Sequence, residues 1–394
     1  MIRRSGRIGR ILLRSIGRPR WRLDDLLSGV DLSSLPAAAA FHGVTGWVYH
    51  CVSACPSADP GVVADLSHNY HQARLTHLRT LADLALIGGA FDELGVSWLV
   101  AKGPVLAEVV YDRPDLRTYT DLDLFVAPTW FGRALEALEG LGARVLDRNW
   151  DQLRRVMLSE VHVVAPHGTV VEVHFHLLND APQRERFTVP MAELYKRPRR
   201  VLLGDQSVPT LDPVDTLVYL CLHACLSGAD RLVWLKDVEH AATAVAARWD
   251  DVVQRSHQFG AGLAVAFMLA SAREAIDIDV PSGLVRTLSG SGSWAVLASM
   301  TRRLWPPERA TGGRSPSRTL ARSTGRDLRA TGREAARRIY AARHGAAGDP
   351  GYWDRMHQET GSREGFLAAV AATEADPDTF STSEAGPGCA GPRS

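Results

Sequence analysis

The chain has 394 residues, of which 45% are hydrophobic and 23% are charged, and its formal net charge at pH 7 is +1. This length accommodates two compact domains with buried cores, and the near-neutral charge excludes a general electrostatic attraction to nucleic acid or membranes. The five cysteines are an odd number without the dense spacing of a disulfide framework, so we expect a cytoplasmic protein. No apolar run approaches the ~20 residues that a membrane-spanning helix needs.

The N-terminal quarter of the chain is predicted to be helical after a basic arm. Residues 1–21 are rich in arginine and contain no acidic residue, and we expect a flexible arm there. Residues 22–94 form the predicted helical N-terminal segment, in which apolar side chains recur every three or four residues from Val62 to Leu94. Gly95 marks the end of this helix.

A small α/β domain is predicted over residues 95–210. Trp98 to Ala101 is a short apolar strand, and Lys102-Gly103-Pro104 is a turn into a helix that extends to Tyr111. The next strand, 120–126, alternates polar and apolar side chains, as a strand with one buried face does. A helix at 129–141 and two hairpins follow, predicted from 161–165 with 169–177 and from 200–202 with 207–209.

The pattern is helical again from residue 211. Asp212-Pro213 is typical of a helix start, and helices are predicted at 213–226, 230–248, 250–260, 262–276 and 282–303. This helical domain, 211–304, is followed by a linker at 305–326, a basic helical segment at 327–372 and a disordered tail at 373–394. The predicted fold class is therefore α/β of the α+β kind, with a small mixed-sheet core, a helical N-terminal segment and a C-terminal helical domain.

Three carboxylates are the candidate metal ligands and catalytic residues. Asp121 and Asp123 project from the same face of one strand, because side chains two residues apart on a strand point the same way. Glu172 lies on another strand whose opposite face is apolar, and it can complete a site for hard cations such as Mg²⁺. Three converging carboxylates repel one another, so we expect at least one raised pKa without metal. An Asp-x-Asp pair by itself is more typical of a solvated strand face.

Lys102, Gly103 and His174 are the candidates for binding the donor or supporting the metal. A glycine between a strand and a helix lets the backbone approach a phosphate closely, and Lys102 can add a positive charge. The alternative is a simple strand-to-helix turn. His174 shares the face of Glu172 and can orient a ligand or relay a proton, or it can be a half-buried histidine that bonds to the backbone.

These motifs together resemble a known family. The stretch from Trp98 to Val126, with its Lys-Gly turn and Asp-Leu-Asp-Leu-Phe-Val strand, looks like the core of the uncharacterised bacterial nucleotidyltransferase family of the DNA-polymerase-β-like superfamily. The similarity continues in Val171-Glu-Val-His-Phe-His176, in Asp212 to His223 and in Arg231-Leu-Val-Trp-Leu-Lys-Asp237, and it covers about residues 40 to 300.

The resemblance implies a transfer of NMP from an NTP, with release of pyrophosphate. By this resemblance Asp121, Asp123 and Glu172 hold Mg²⁺ in a two-metal site, Gly103 forms the glycine turn, and Arg117 contacts the donor phosphates. We expect ATP as the donor and a small molecule or peptide natural product as the acceptor, with no nucleic-acid or membrane partner. The oligomeric state is left open.

Two other functions compete with this interpretation. Pro104 follows Gly103 where the superfamily usually has glycine or serine, which is consistent with a catalytically degenerate nucleotide-binding or regulatory protein. Magnesium-dependent ATP binding without turnover would favour that alternative. The arginine-rich segments could bind nucleic acid, but they lack the interleaved aromatic residues of a single-strand platform.

Overall fold

The computed structural model describes residues 6–17, 22–311, 313, 315–343 and 351–375. Over these residues the chain forms two compact units. The sheet unit contains the described residues of 78–105, 120–212 and 337–375, and the helical unit contains those of 6–77, 106–119 and 213–336. Most of the tail predicted at 373–394, and part of the arm predicted at 1–21, lie outside the described residues.

A seven-stranded sheet is the centre of the sheet unit; its mixed character was predicted from the sequence, and the short strand at Arg144–Val145 was not. Its strands are β1 (Trp98–Val100), β2 (Asp121–Val126), β3 (Arg144–Val145), β4 (Glu160–Val164), β5 (Val170–His174), β6 (Arg199–Leu203) and β7 (Gln206–Thr210). The spatial order is β3-β4-β5-β2-β1-β7-β6. The β2–β5 and β1–β7 pairs are parallel, and the other neighbouring strands are antiparallel.

The alternating apolar residues of the two central strands form the core of this unit. Leu122 and Leu124 of β2, and Val171 and Val173 of β5, have no solvent-accessible surface. Burial of each of these side chains contributes about 1.5–3 kcal/mol. This burial fixes which face of β2 and β5 is apolar, and therefore which face can carry polar groups.

Helices occur in both units. In chain order the described residues contain α1 (Arg7–Ser15), α2 (Leu23–Leu27), α3 (Leu35–Phe41), α4 (Thr45–Ser53), α5 (Pro60–Leu94), α6 (Phe131–Gly140), α7 (Trp150–Val156), α8 (Ala181–Arg186), α9 (Met191–Lys196), α10 (Pro213–Ser227), α11 (Leu232–Ala244), α12 (Trp249–Gln258), α13 (Gly262–Ile276), α14 (Leu284–Ser289), α15 (Gly292–Leu304), α16 (Pro316–Arg322), α17 (Leu328–Arg343), α18 (Tyr352–Met356) and α19 (Arg363–Ala375). Among the described helices, none has the length and apolar character that crossing a bilayer requires.

Several elements differ from the sequence prediction. The helix predicted at 282–303 is divided into α14 and α15, because Gly290 adopts a left-handed conformation with φ of +60°. The helix predicted after Pro104 contains a π-helix at Leu106–Val110. The stretch predicted as a linker contains α16, which begins where the Ser315 hydroxyl accepts a hydrogen bond from the Arg318 amide.

Part of the predicted basic arm is a packed helix. Ile11 and Leu12 of α1 have no accessible surface, and Ile16 just after the helix is equally buried. Arginines occupy the same segment, and the apolar residues between them supply the face that packs. Composition by itself therefore concealed an amphipathic helix.

The C-terminal segment 351–375 packs against the sheet unit. Asn149 and Thr360 form a parallel β-bridge, and Arg363 makes two hydrogen bonds to the Glu139 carboxylate. Phe366 of α19 is fully buried, with its ring 5.9 Å from that of Trp150 and 6.3 Å from that of Phe131. These contacts make the segment part of the core of this unit.

We predict that Phe366→Ala lowers the free energy of unfolding by about 3–5 kcal/mol, because it removes a fully buried aromatic side chain and leaves a cavity. Urea denaturation followed by circular dichroism measures this change. Leu202→Ala in the same unit is the matched control, since Leu202 is 73% exposed and its loss should change stability by about 0.5 kcal/mol or less. Equal effects of the two substitutions would show that α19 does not stabilise the unit.

Candidate metal and nucleotide site

The candidate site lies where β2 and β5 run side by side. In this parallel pair Asp123 is the register partner of Glu172, and Phe125 is the partner of His174. Because the pairing is parallel and in register, polar side chains of the two strands are adjacent on one face. The carboxylate of Asp123 is almost completely buried there, with 3% of its side chain exposed, whereas 23% of the Glu172 side chain is exposed.

Lys102 reaches this face from the turn after β1. Its Nζ atom lies 2.8 Å from Oδ1 of Asp123, and both side chains are largely buried. The next residue, Gly103, has φ of +57°, a left-handed conformation that is favourable for glycine and strained for other residues. The glycine therefore permits the tight turn that brings Lys102 to Asp123.

Histidines separate the acidic groups of the site. Nε2 of His174 lies 3.3 Å from Oε2 of Glu172 and 3.7 Å from Oδ1 of Asp123. On the other side of Glu172, Nε2 of His162 is 3.5 Å from Oε1. Positive and negative groups thus alternate across the site.

Asp147 holds His162 in place. Its Oδ2 atom accepts a hydrogen bond of 2.6 Å from Nδ1 of His162 and another of 2.8 Å from the backbone N–H of the same residue. Asp147 has no accessible surface, and the ring of Trp353 packs edge-on against the imidazole at 5.2 Å. His162 is consequently oriented by both an acid and an aromatic ring.

Asp123 and Glu172 both have lowered pKa values, although a raised pKa was expected for at least one of the three carboxylates. Burial by itself would raise the pKa of Asp123, but the neighbouring Lys102 ammonium and His174 outweigh burial and lower it to about 2. Burial likewise opposes ionisation of Glu172, but His162 and His174 hold its pKa well below the usual range. The expectation considered only the acids and omitted the cations beside them, so it does not hold for these two residues and stays a prediction for Asp121.

The pKa values of His162 and His174 are raised, whereas those of Asp123 and Glu172 are lowered. Burial disfavours the protonated forms of both histidines, but the nearby negative charges of Asp123, Glu172 and Glu160 outweigh burial and raise the pKa of His174 to about 9. Asp147 and Glu172 similarly outweigh burial at His162 and raise its pKa to about 11. Both imidazoles are therefore cations at neutral pH in the absence of metal.

One group of side chains can hold a cation. Asp123, Glu172 and His174 each offer one ligand atom, and these atoms lie within 4.8 Å of one another. Carboxylate oxygens and imidazole nitrogen are ordinary ligands of divalent metal ions in proteins, so the residues fit a metal. Among the described residues Asp121 is not part of this group. It lies two residues before Asp123 on β2, where its register partner is Val170.

The structure therefore brings together four of the predicted site residues, namely Lys102, Asp123, Glu172 and His174, next to the Gly103 turn. Arg117 is bound elsewhere: within the helical unit its guanidinium makes hydrogen bonds of 2.8 and 3.0 Å to the two carboxylate oxygens of Asp237. The Tyr111 hydroxyl also donates to Asp237, at 2.7 Å. The predicted contact of Arg117 with donor phosphates stays a prediction.

Sequence reasoning missed three residues around the site. His162, Asp147 and Glu160 are not among the candidate site residues that the sequence indicated. Glu160 is the register partner of His174 in the antiparallel β4–β5 pair, and its Oε2 lies 3.8 Å from Nδ1 of that histidine. The only available signal was the position of Glu160 and His162 on the same face of one hairpin strand.

Comparison with known protein families identifies the class of protein. A family model described as an uncharacterised nucleotidyltransferase matches residues 28–277, which is more than half of the chain and includes β1, β2, β4 and β5. The chain therefore belongs to the uncharacterised nucleotidyltransferase family. No curated protein matches the sequence.

We predict that the stability contributed by His162 depends on pH. Its pKa is raised by folding, so its contribution is fully present below the unfolded value of ~6.5 and is lost as pH rises towards about 11. The difference in unfolding free energy between wild type and His162→Gln should therefore be largest near pH 6 and should decrease steadily up to pH 10. A difference that does not change over this range would contradict the ion pairs described for His162.

Proposed function

We propose that the protein is a Mg²⁺-dependent nucleotidyltransferase that moves an NMP unit, AMP from ATP, to a hydroxyl, phosphate or amine group of a small-molecule or peptide natural-product acceptor. The observation that carries this proposal is the position of Asp123 and Glu172 side by side on two parallel strands, next to a lysine from a glycine turn. Membership of the nucleotidyltransferase family supports the same reaction class.

The chemistry of nucleotidyl transfer requires positioning and charge neutralisation more than covalent catalysis. A divalent cation held in the site would neutralise charge that develops on the donor phosphates. Asp123 and Glu172 are the proposed ligands, and Asp121, which projects from the same face of β2, is proposed as a further ligand. Both Asp123 and Glu172 are ionised at neutral pH, since the pKa of Asp123 is about 2 and that of Glu172 is lowered.

Lys102 and Gly103 are proposed to bind the donor. Lys102 is the cation nearest to Asp123, and its ammonium can neutralise phosphate oxygens from the same position. The left-handed turn at Gly103 exposes the backbone without a Cβ atom, which allows close approach of a phosphate. Pro104 lacks an N–H, so the proposed contact depends on Lys102 more than on amides of the following helix.

Glu172 is better suited to bind metal than to act as a general base. Its lowered pKa makes the carboxylate a weak proton acceptor. Its side chain is nevertheless the more exposed of the two acids at the metal position, so an acceptor can approach it. We therefore propose that Glu172 is the third carboxylate ligand and that the acceptor binds on its side of the site.

The decisive experiment distinguishes transfer of the α-phosphate of an NTP from transfer of its γ-phosphate. The protein is incubated with Mg²⁺, fractionated cell extract and each NTP labelled at either the α- or the γ-phosphate. We expect only the α-label to be transferred to an acceptor, whose mass increases by one NMP unit. The γ-label should be released in pyrophosphate. Transfer of the γ-label would indicate a kinase, and binding of ATP without any transfer would indicate the degenerate nucleotide-binding protein.

We predict that Asp121→Ala and Asp123→Ala each reduce transfer of the α-label to background, since each removes a proposed metal ligand. Glu172→Gln removes the charge of a proposed metal ligand and should reduce turnover by roughly 10²-fold or more, whereas Glu172→Asp should retain more activity because the charge is kept. Asp205→Ala, which removes an exposed acid from the β6–β7 turn of the same unit, is the control and should have no effect. A fully active Asp123→Ala protein would show that the metal assignment is wrong.

A further inference from the structure

His174 has a buried nitrogen atom that no hydrogen bond within the described part of the chain satisfies. The residue is 7% exposed, and its Nε2 atom has no accessible surface and no hydrogen-bond partner. The atom nevertheless faces the carboxylates of Asp123 and Glu172, at 3.7 and 3.3 Å. Leaving a buried polar atom without a hydrogen bond is unfavourable, so we expect Nε2 to have a further partner.

The spacing of the three groups suits a shared cation. Ligand atoms that surround a metal ion at about 2.1 Å lie roughly 3–4 Å from one another. The separations of Nε2 from the two carboxylate oxygens fall in this range. They are longer than good charge-assisted hydrogen bonds, which are about 2.7–2.9 Å, so direct ion pairing satisfies Nε2 poorly.

The other side of the His174 ring is arranged like that of a metal ligand. Metal-binding histidines commonly direct their second ring nitrogen at a carboxylate, which orients the ring and increases its basicity. Here Nδ1 faces the Glu160 carboxylate at 3.8 Å from the neighbouring strand. The ring also stacks on Phe125, with 4.8 Å between centroids and 16° between planes. Both contacts restrict rotation of the imidazole.

We propose that Nε2 of His174 is a metal ligand together with Asp123 and Glu172, so that this position binds a transition-metal ion such as Mn²⁺ more tightly than the Mg²⁺ of the proposed reaction. The inference rests on the proposed function only in assuming that the site is a metal site. Mg²⁺ takes oxygen ligands almost exclusively, whereas imidazole nitrogen is a common ligand of transition metals. A cation bound there displaces the proton of Nε2, as metals do at histidine ligands.

The test uses the metal-free full-length protein and Mn²⁺ alone. Continuous-wave electron paramagnetic resonance gives the Mn²⁺ affinity, competition with Mg²⁺ gives the affinity ratio, and pulsed measurements detect directly bound nitrogen. We expect a coupling to imidazole ¹⁴N that changes to a ¹⁵N coupling in protein labelled with ¹⁵N-histidine. This readout needs no substitution, so it does not depend on whether a variant folds.

The variant His174→Gln tests whether His174 supplies the nitrogen that is coupled to Mn²⁺. Glutamine offers an oxygen of similar reach, so the nitrogen coupling should disappear and Mn²⁺ affinity should fall by at least about 10-fold, with a smaller change for Mg²⁺. His176→Gln is the matched control, because His176 is two residues further along the chain and its Nδ1 already accepts a hydrogen bond of 2.9 Å from the Leu178 amide. This control should keep the coupling and the affinity ratio of the wild type.

Bound Mn²⁺ without imidazole coupling, a coupling that survives in His174→Gln, or no binding of Mn²⁺ would each overturn the inference. The result is independent of the transfer reaction. A protein that binds Mn²⁺ through His174 but transfers no NMP would contradict the proposed function alone. A protein that transfers NMP while its metal has only oxygen ligands would contradict this inference alone.

Discussion

The site depends on the parallel pairing of β2 with β5. This pairing sets Asp123 beside Glu172 and Phe125 beside His174, although the members of each pair are far apart along the chain. The register is fixed by the opposite face, where Leu122 and Val171 are completely buried. A slip of one residue would move these apolar side chains to the polar face and the charged ones into the core. The hydrophobic core thus determines the geometry of the site.

Alternating charge explains how so many ionisable groups are buried together. Burying an isolated ionised carboxylate is strongly unfavourable. Here Asp123 lies between Lys102 and His174. Glu172 lies between His174 and His162. The acids therefore remain ionised and the histidines remain protonated without metal. Carboxylates bind cations in their ionised form, so the charge state of Asp123 and Glu172 is compatible with the proposed metal site.

Segments outside the central strands support this arrangement. The family match ends at residue 277, yet the sheet unit is completed by residues 351–375, from which Phe366 fills the core and Trp353 packs on His162. In the helical unit the buried Arg117–Asp237 pair anchors the chain just before it enters β2. Removing one partner of a buried ion pair typically costs about 3–5 kcal/mol, because the remaining charge is left uncompensated.

The amino-acid sequence by itself determined the mixed α/β fold, the strands that carry Asp123 and Glu172, and the family, because alternation, turn residues and motif spacing are local properties of the chain. It also indicated Lys102, since this residue adjoins the Gly103 turn. Only the tertiary structure decided that His162, Asp147 and Glu160 surround the acids, that Arg117 pairs with Asp237, and that α1 is packed. Those facts depend on which strands and helices become neighbours, and on the charges that meet there. Pairwise distances between segments far apart in sequence are set by packing of the whole chain, so no local pattern reveals them.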